Sequence, residues 1–441
     1  MKTEVKLNTS YGKKFARYAF LSVLGTLGVS CYILADTFFV AKGLGTSGLA
    51  ALNIAIPVYN FIHGIGLMLG MGGGTRFSIC KSGGGKDRID KIFTNTVYAG
   101  LFFGILFAAV GLLFSGWLAQ LLGADAEILD MTKTYLKWLM LFAPAFIMND
   151  ILLCFVRNDD QPFLSTVAML VGSFSNIILD YIFIFPLDMG IFGAVFATGL
   201  SPIISILLMS PHWLKKRNSF HLVKTALEPE IVGQDISLGF PSLIAQLASG
   251  VAMIIFNMLI LGLEGNVGVA AYGVIANISL VVVAIYTGIA QGAQPLISDS
   301  YGAGHKQEIQ LGLRCALGSM AVLSAVLYLI IFVFSDSITA IFNSERDVQM
   351  QALSVTGLKL YFTSNLFVGF NTILAIYFTS IERAWPAHVL SLLRGLVLLA
   401  PLAFFLSALW EMTGIWLTYP VTEGLVAVMG YLWYRKLVRS L

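Results

Sequence analysis

Charge is what this sequence has least of. Asp, Glu, Lys and Arg make up 12% of its 441 residues, against roughly 25% in a soluble domain. So few charges cannot cover the wet surface of a 47.9 kDa globule, and a soluble protein is excluded. Cysteine is scarce too. Cys31, Cys80, Cys154 and Cys315 stand far apart, in or beside apolar runs, with neither a disulfide framework nor zinc-site spacing. Neither sign dominates: 27 Lys+Arg face 24 Asp+Glu, a net +3, so nucleic acid is not an expected partner. Long polar stretches are also missing, the longest being Lys215 to Gly233.

What is there is apolar: 57% hydrophobic residues and a mean hydropathy of +0.83. Apolar runs fall at 15–41, 49–80, 92–116, 132–157, 162–185, 190–213, 234–262, 268–299, 311–334, 352–380, 386–408 and 414–434. A crossing helix needs about 20 residues, so the chain reads as an all-α polytopic membrane protein of twelve spans in a lipid bilayer. The first run is too long for a signal-peptide core, and no cleavable signal is expected.

Orientation follows from the basic residues. With the N-terminus inside, twenty Lys and Arg fall on inner segments, from the five before or at the mouth of span 1 through Lys81, Lys86, Arg88, Lys91, Lys215, Lys216 and Arg217 to Arg435, Lys436 and Arg439. The outer loops hold only Lys42, Lys133, Lys137 and Arg346, beside Asp125, Glu127 and Asp130. Both termini are expected in the cytoplasm of a plasma (bacterial inner) membrane.

The two halves match at an offset of about 220. Gly45–Ala51 aligns with Gly265–Ala271, Gly83–Lys86 with Gly302–His305, and Gly123–Glu127 with Asn343–Asp347; later Pro162 meets Pro386 and Gly190 meets Gly414. Six spans per half make these parallel repeats, an arrangement in which substrate binds between lobes. The expected organisation is two pseudo-symmetric six-helix lobes, 1–214 and 234–441. They are joined by a cytoplasmic linker, 215–233, that only tethers them.

Asp36, Asp150, Asp180 and Glu423 lie inside spans. Each costs about 2.5–3.5 kcal/mol there, so each is a functional candidate. Asp36 and Asp180 fall at similar depth, roughly 8 Å from the outer ends of spans 1 and 5. Asn176 is one turn before Asp180 on the same face, and Thr198 sits about 12 Å into span 6. Two carboxylates, an amide and a hydroxyl suit a hard cation, Na+ for instance, or a shared proton. Asp150 either faces water or Arg157, or has a second-tier role, and Glu423 is a candidate lining of the second lobe. In the repeat, Asp36 meets Phe256 and Asp180 meets Phe404, so the second lobe places aromatics where the first has acids. Some aromatics could form a cavity for flat cations.

Ala35-Asp36-Thr37, Leu49–Asn53, Asn176–Asp180, and Gly288–Pro295 followed by Tyr301–Gly304 resemble the multidrug and toxic compound extrusion (MATE) transporters, over essentially the whole chain. In one branch of that family the cation or proton site uses Asp on span 1, Asn and Asp four apart on span 5, and Thr on span 6. The resemblance carries these roles to Asp36, Asn176, Asp180 and Thr198. Gln291 and Gln294, in the run that matches, are possible cavity residues. Another branch has acids on spans 7 and 10; here span 7 offers Asn257 and span 10 Asn365 and Asn371.

Other chemistry finds no support. Gly70–Gly74 and Gly83–Lys86 lack the GxxxxGK[ST] phosphate loop, since Asp87 follows the Lys. The five histidines are dispersed, and His63 reads as packing or pore-lining. The expected protein is not an enzyme and needs no cofactor. It is expected to be a monomeric antiporter exporting organic, cationic, drug-like compounds against Na+ or H+. The alternative is a flippase for a lipid-linked, polyanionic precursor. Its cavity would be lined by intramembrane cations, for which only Arg76, Lys359 and Arg394 qualify.

Overall fold

The computed structural model describes residues 2–343 and 346–440, and the side chains of 10–85, 88–343 and 346–436. Glu345 and the side chains of Lys2, Lys6, Lys86 and Arg439 lie outside the described residues. In hydrocarbon each backbone N–H and C=O must be satisfied by its own segment, and the described residues are accordingly helices and turns with no strand. Eight helical runs are long and apolar enough to cross a membrane. A ninth is the pair Leu129–Leu141 and Ala143–Asn158, bent by 46° where Pro144 opens the second segment.

Three runs are too long for one crossing. The helix Lys2–Ser82 has 81 residues, about 120 Å of straight helix against ~30 Å of hydrocarbon. It breaks at Gly45 (φ 68°, ψ −158°). Pro229–Gly302 breaks at Gly265 (φ 61°, ψ −151°), the same backbone shape at the matching repeat position, in a region only glycine enters freely. Leu399–Ser440 breaks at Trp410 and Glu411. The legs fold back on each other: Tyr32 and Tyr59 join hydroxyls across the first break. The rings of Phe256 and Tyr272 lie 5.5 Å apart across the second. Across the third, a Cβ on Gly414 would strike the Leu406 carbonyl. Among the described residues the total is twelve spans, six in each half.

The chain forms two compact units. One holds residues 20–247 and 298–306, the other 1–19, 248–297 and 307–441. The start of span 7 and the end of span 8 thus pack with spans 1–6. Arg76 of span 2 binds Asp235 of span 7 (2.8 Å) and the Ile231 carbonyl (2.9 Å), and Thr96 of span 3 donates to the other Asp235 oxygen (2.9 Å). Gly72 and Gly239 let the two backbones touch, since a Cβ on either would overlap a carbonyl of the other helix. Ser82 likewise donates to Asp299.

Residues 215–233 are not a loose tether. Phe220 is buried against Phe77, Phe93 and Phe155. Backbone N–H groups of Ser219, His221, Val223 and Glu228 donate to Asp159, Asp90, Thr94 and Asn95 at 2.7–3.1 Å. The backbone polar groups of an extended segment need partners, and spans 3 and 4 supply them.

Candidate cation site

Spans 1, 4, 5 and 6 bring the candidate residues together. Thr166 of span 5 donates to the Leu21 carbonyl of span 1 (2.9 Å), and Ser201 of span 6 donates to the Gly172 carbonyl of span 5 (2.9 Å). With the helices clamped at these points, the stretches carrying Asp36, Asn176, Asp180 and Thr198 face one another. All four side chains are buried, Asn176 and Asp180 completely.

The carboxyl groups of Asp36 and Asp180 lie close enough to interact directly. Oriented so that both its ends are satisfied, the Asn176 amide donates to Asp180 Oδ2 (3.1 Å) and accepts from the Thr198 backbone N–H (3.3 Å). The amide also lies 3.4 Å from Thr198 Oγ1, which itself donates to the Ala194 carbonyl (3.0 Å). Oδ1 of Asp36 and Oδ1 of Asp180 are buried with no hydrogen-bond partner among the described residues. Neither carboxyl has a Lys, Arg or His ion pair there. Two carboxyl groups in direct contact need a proton between them, and two free carboxylates would need a cation, because like charges that close repel in a medium without water. The polar atoms that face one another here include carboxylate, amide and hydroxyl oxygens, the donors that hard cations prefer.

Two further residues belong to this arrangement and went unread in the sequence. Tyr135 of span 4 is buried beside Thr198 and within reach of Asp36 and Asp180. Tyr32 stands one turn before Asp36 and meets Tyr59. Tyr32 was legible as the i−4 neighbour of Asp36; nothing in the sequence marks Tyr135.

The second-tier residues sort differently. Asp150 does not face Arg157 or water: it accepts from His63 Nδ1 (2.9 Å), while Arg157 turns to Met71 and Cys154 sulfur. His63 is therefore more than packing. Glu423 is buried, paired with Arg394 (2.9 Å) and bonded by Asn371 (2.7 Å). Gln291 and Gln294 are buried in span 8. Phe256, the repeat partner of Asp36, is buried between Tyr272 and Tyr419. Phe404, matched to Asp180, is instead 47% exposed, and its neighbour Ala403 is buried. The π-helical turn Leu393–Val397 lies about two to three turns before Phe404 in the same span.

The MatE family model matches residues 22–182 and 241–405. The chain belongs to this family. MatE proteins are transporters rather than enzymes, and the chain is a multi-pass membrane transporter. It is similar to the multidrug export protein MepA of Staphylococcus saprophyticus, 26% identical over 96% of this chain and 93% of the relative. MepA of Staphylococcus aureus is also 26% identical, over 95% and 92%. A crystal structure of a Vibrio cholerae MATE transporter superposes with a TM-score of 0.91 at 21% identity, covering 98% of both chains.

Proposed function

We propose that this MatE transporter exports organic, cationic, drug-like compounds in exchange for an inward proton or Na+ held by Asp36, Asn176, Asp180 and Thr198. The observation that carries the reading is the Asp36–Asp180 pair, two buried carboxyls in contact with one orphan oxygen each and no basic partner. The relatives named as multidrug export proteins support the cargo class. Binding of the inward ion cancels the negative charge that attracts a cationic drug, so the two compete through a shared site or a shared conformation. Exchange follows only if ion and drug differ in affinity for the two access states. The transporter sits in the plasma membrane as a monomer with both termini in the cytoplasm, and it uses no cofactor.

The flippase reading fits the intramembrane cations less well. Arg76 is neutralised by Asp235 and Arg394 by Glu423, while Lys359 lies over the Phe332 ring at 5.2 Å. Two of the three are thus engaged by carboxylates rather than offered to a polyanion.

The test is ethidium export in proteoliposomes under a pH gradient or a sodium gradient applied separately. Asp36→Asn and Asp180→Asn should each abolish gradient-driven export in correctly inserted protein. Wild-type rates with unchanged pH and sodium dependence in both variants would overturn the site.

A further inference from the structure

One pair of ionisable side chains in the first unit has no part in the site above. His63 of span 2 and Asp150 of span 4 are joined through Nδ1 and Oδ2 at 2.9 Å, with side chains 18% and 8% exposed. Gly66, one turn after His63, makes room for the carboxylate, since a Cβ there would lie 2.6 Å from Asp150 Oδ2. His63 is flanked by two rings, Tyr59 at 4.4 Å and Phe146 at 5.2 Å. Rings at that range stabilise a cation.

The far nitrogen, His63 Nε2, is buried and has no hydrogen-bond partner among the described residues. In the neutral ring Nδ1–H donates to Asp150, and Nε2 presents an unused lone pair. The ring can accept a proton on that atom with its counter-charge and its aromatic flanks already in place. The dyad is not isolated from the cation site, because Tyr59 joins hydroxyls with Tyr32, and Tyr32 stands one helical turn before Asp36 on the same face. The other titratable or charged groups facing this region are Tyr135, Cys154 and Arg157, all on span 4.

We propose that His63 and Asp150 form a second proton-binding site, loaded on His63 Nε2 and coupled through the Tyr59–Tyr32 hydroxyl pair to the Asp36–Asp180 site. The inference rests on the antiport reading given above. One proton arrives from water and binds the Nε2 lone pair, giving imidazolium against carboxylate; its release reverses the step, and no other bond changes. The cycle then moves one more proton per drug than the Asp36–Asp180 site carries alone. Loss of the dyad leaves exchange possible but less strongly driven.

Two measurements on the full chain test this. The first is proton uptake by the detergent-solubilised protein, read with a pH dye on a jump from about pH 8 to about pH 5. The second is the proton-to-ethidium ratio in proteoliposomes, from the pH gradient that just halts net ethidium flux. His63→Gln should take up one proton fewer and lower the ratio by one, with export persisting. Asp150→Asn keeps an acceptor for Nδ1 but removes the counter-charge, so it should show the same loss and guards against misfolding of the first variant. Wild-type uptake and ratio in both variants would overturn the dyad. Asp36→Asn, measured alongside, should abolish export yet retain the proton that His63→Gln loses. Full coupled export in Asp36→Asn would instead overturn the antiport reading, while the uptake measurement still judges the dyad.

Discussion

Asn176 shows how much one neutral side chain can organise. Its amide spans Asp180 Oδ2 and the Thr198 backbone, fixing one carboxylate oxygen and leaving the other, Oδ1, unpartnered for the ion. Asn176→Ala removes one donor to a charged acceptor, worth about 1.5–3 kcal/mol; Thr198→Ala removes a hydroxyl ligand. Each should weaken export by about 10- to 100-fold without abolishing it, read as ethidium efflux rates in matched proteoliposomes. Full loss would mean that these residues do more than position the carboxylates. At this scale legibility tracked cost. Asp36, Asp180 and their polar neighbours stood out because a carboxylate in an apolar run is expensive enough to demand a reason. The His63–Asp150 pairing did not, since the partner of a side chain depends on helix rotation and tilt. Tyr135 was silent because a tyrosine in a span is ordinary until the fold sets it beside Thr198.

Among the elements, the breaks at Gly45 and Gly265 were readable as a repeated glycine pair, and the backbone adopts the same dihedrals at both. The third falls in the gap that the apolar runs leave between 408 and 414, but on Trp410 and on Glu411 at φ 50° rather than on a glycine, a conformation that a non-glycine residue adopts only under strain. The 215–233 segment misleads for a related reason. Its polar composition suggests a tether, yet one aromatic, Phe220, goes into a cage of three phenylalanines. Phe220→Ala should cost about 3–5 kcal/mol, the range for emptying a buried aromatic site. It should appear as a lowered unfolding temperature of the detergent-solubilised protein. Replacing the exposed Lys215, Lys216 and Arg217 with neutral polar residues should leave that temperature unchanged. Equal effects of the two changes would show that the segment is not held by Phe220.

For the whole molecule, the span count was legible from hydropathy; the composition of the two compact units was not. Hydropathy places the start of span 7 in the second half, but Asp235 fastens it to Arg76 of span 2. Orientation is open to direct measurement. In a background lacking Cys31, Cys80, Cys154 and Cys315, Asp125→Cys should react with an impermeant thiol reagent on intact cells. Lys215→Cys should react only after lysis. The reverse pattern would invert the topology. The same Arg76–Asp235 pair has a consequence for how the protein is made. The partners are 159 residues apart in sequence, so at 5–20 residues per second a ribosome delivers Asp235 roughly 10–30 s after Arg76. Throughout that interval span 2 carries a guanidinium whose counter-ion does not yet exist. A nascent first half must keep Arg76 at the water interface or against the insertion machinery, and span 2 reaches its final depth only once span 7 has emerged.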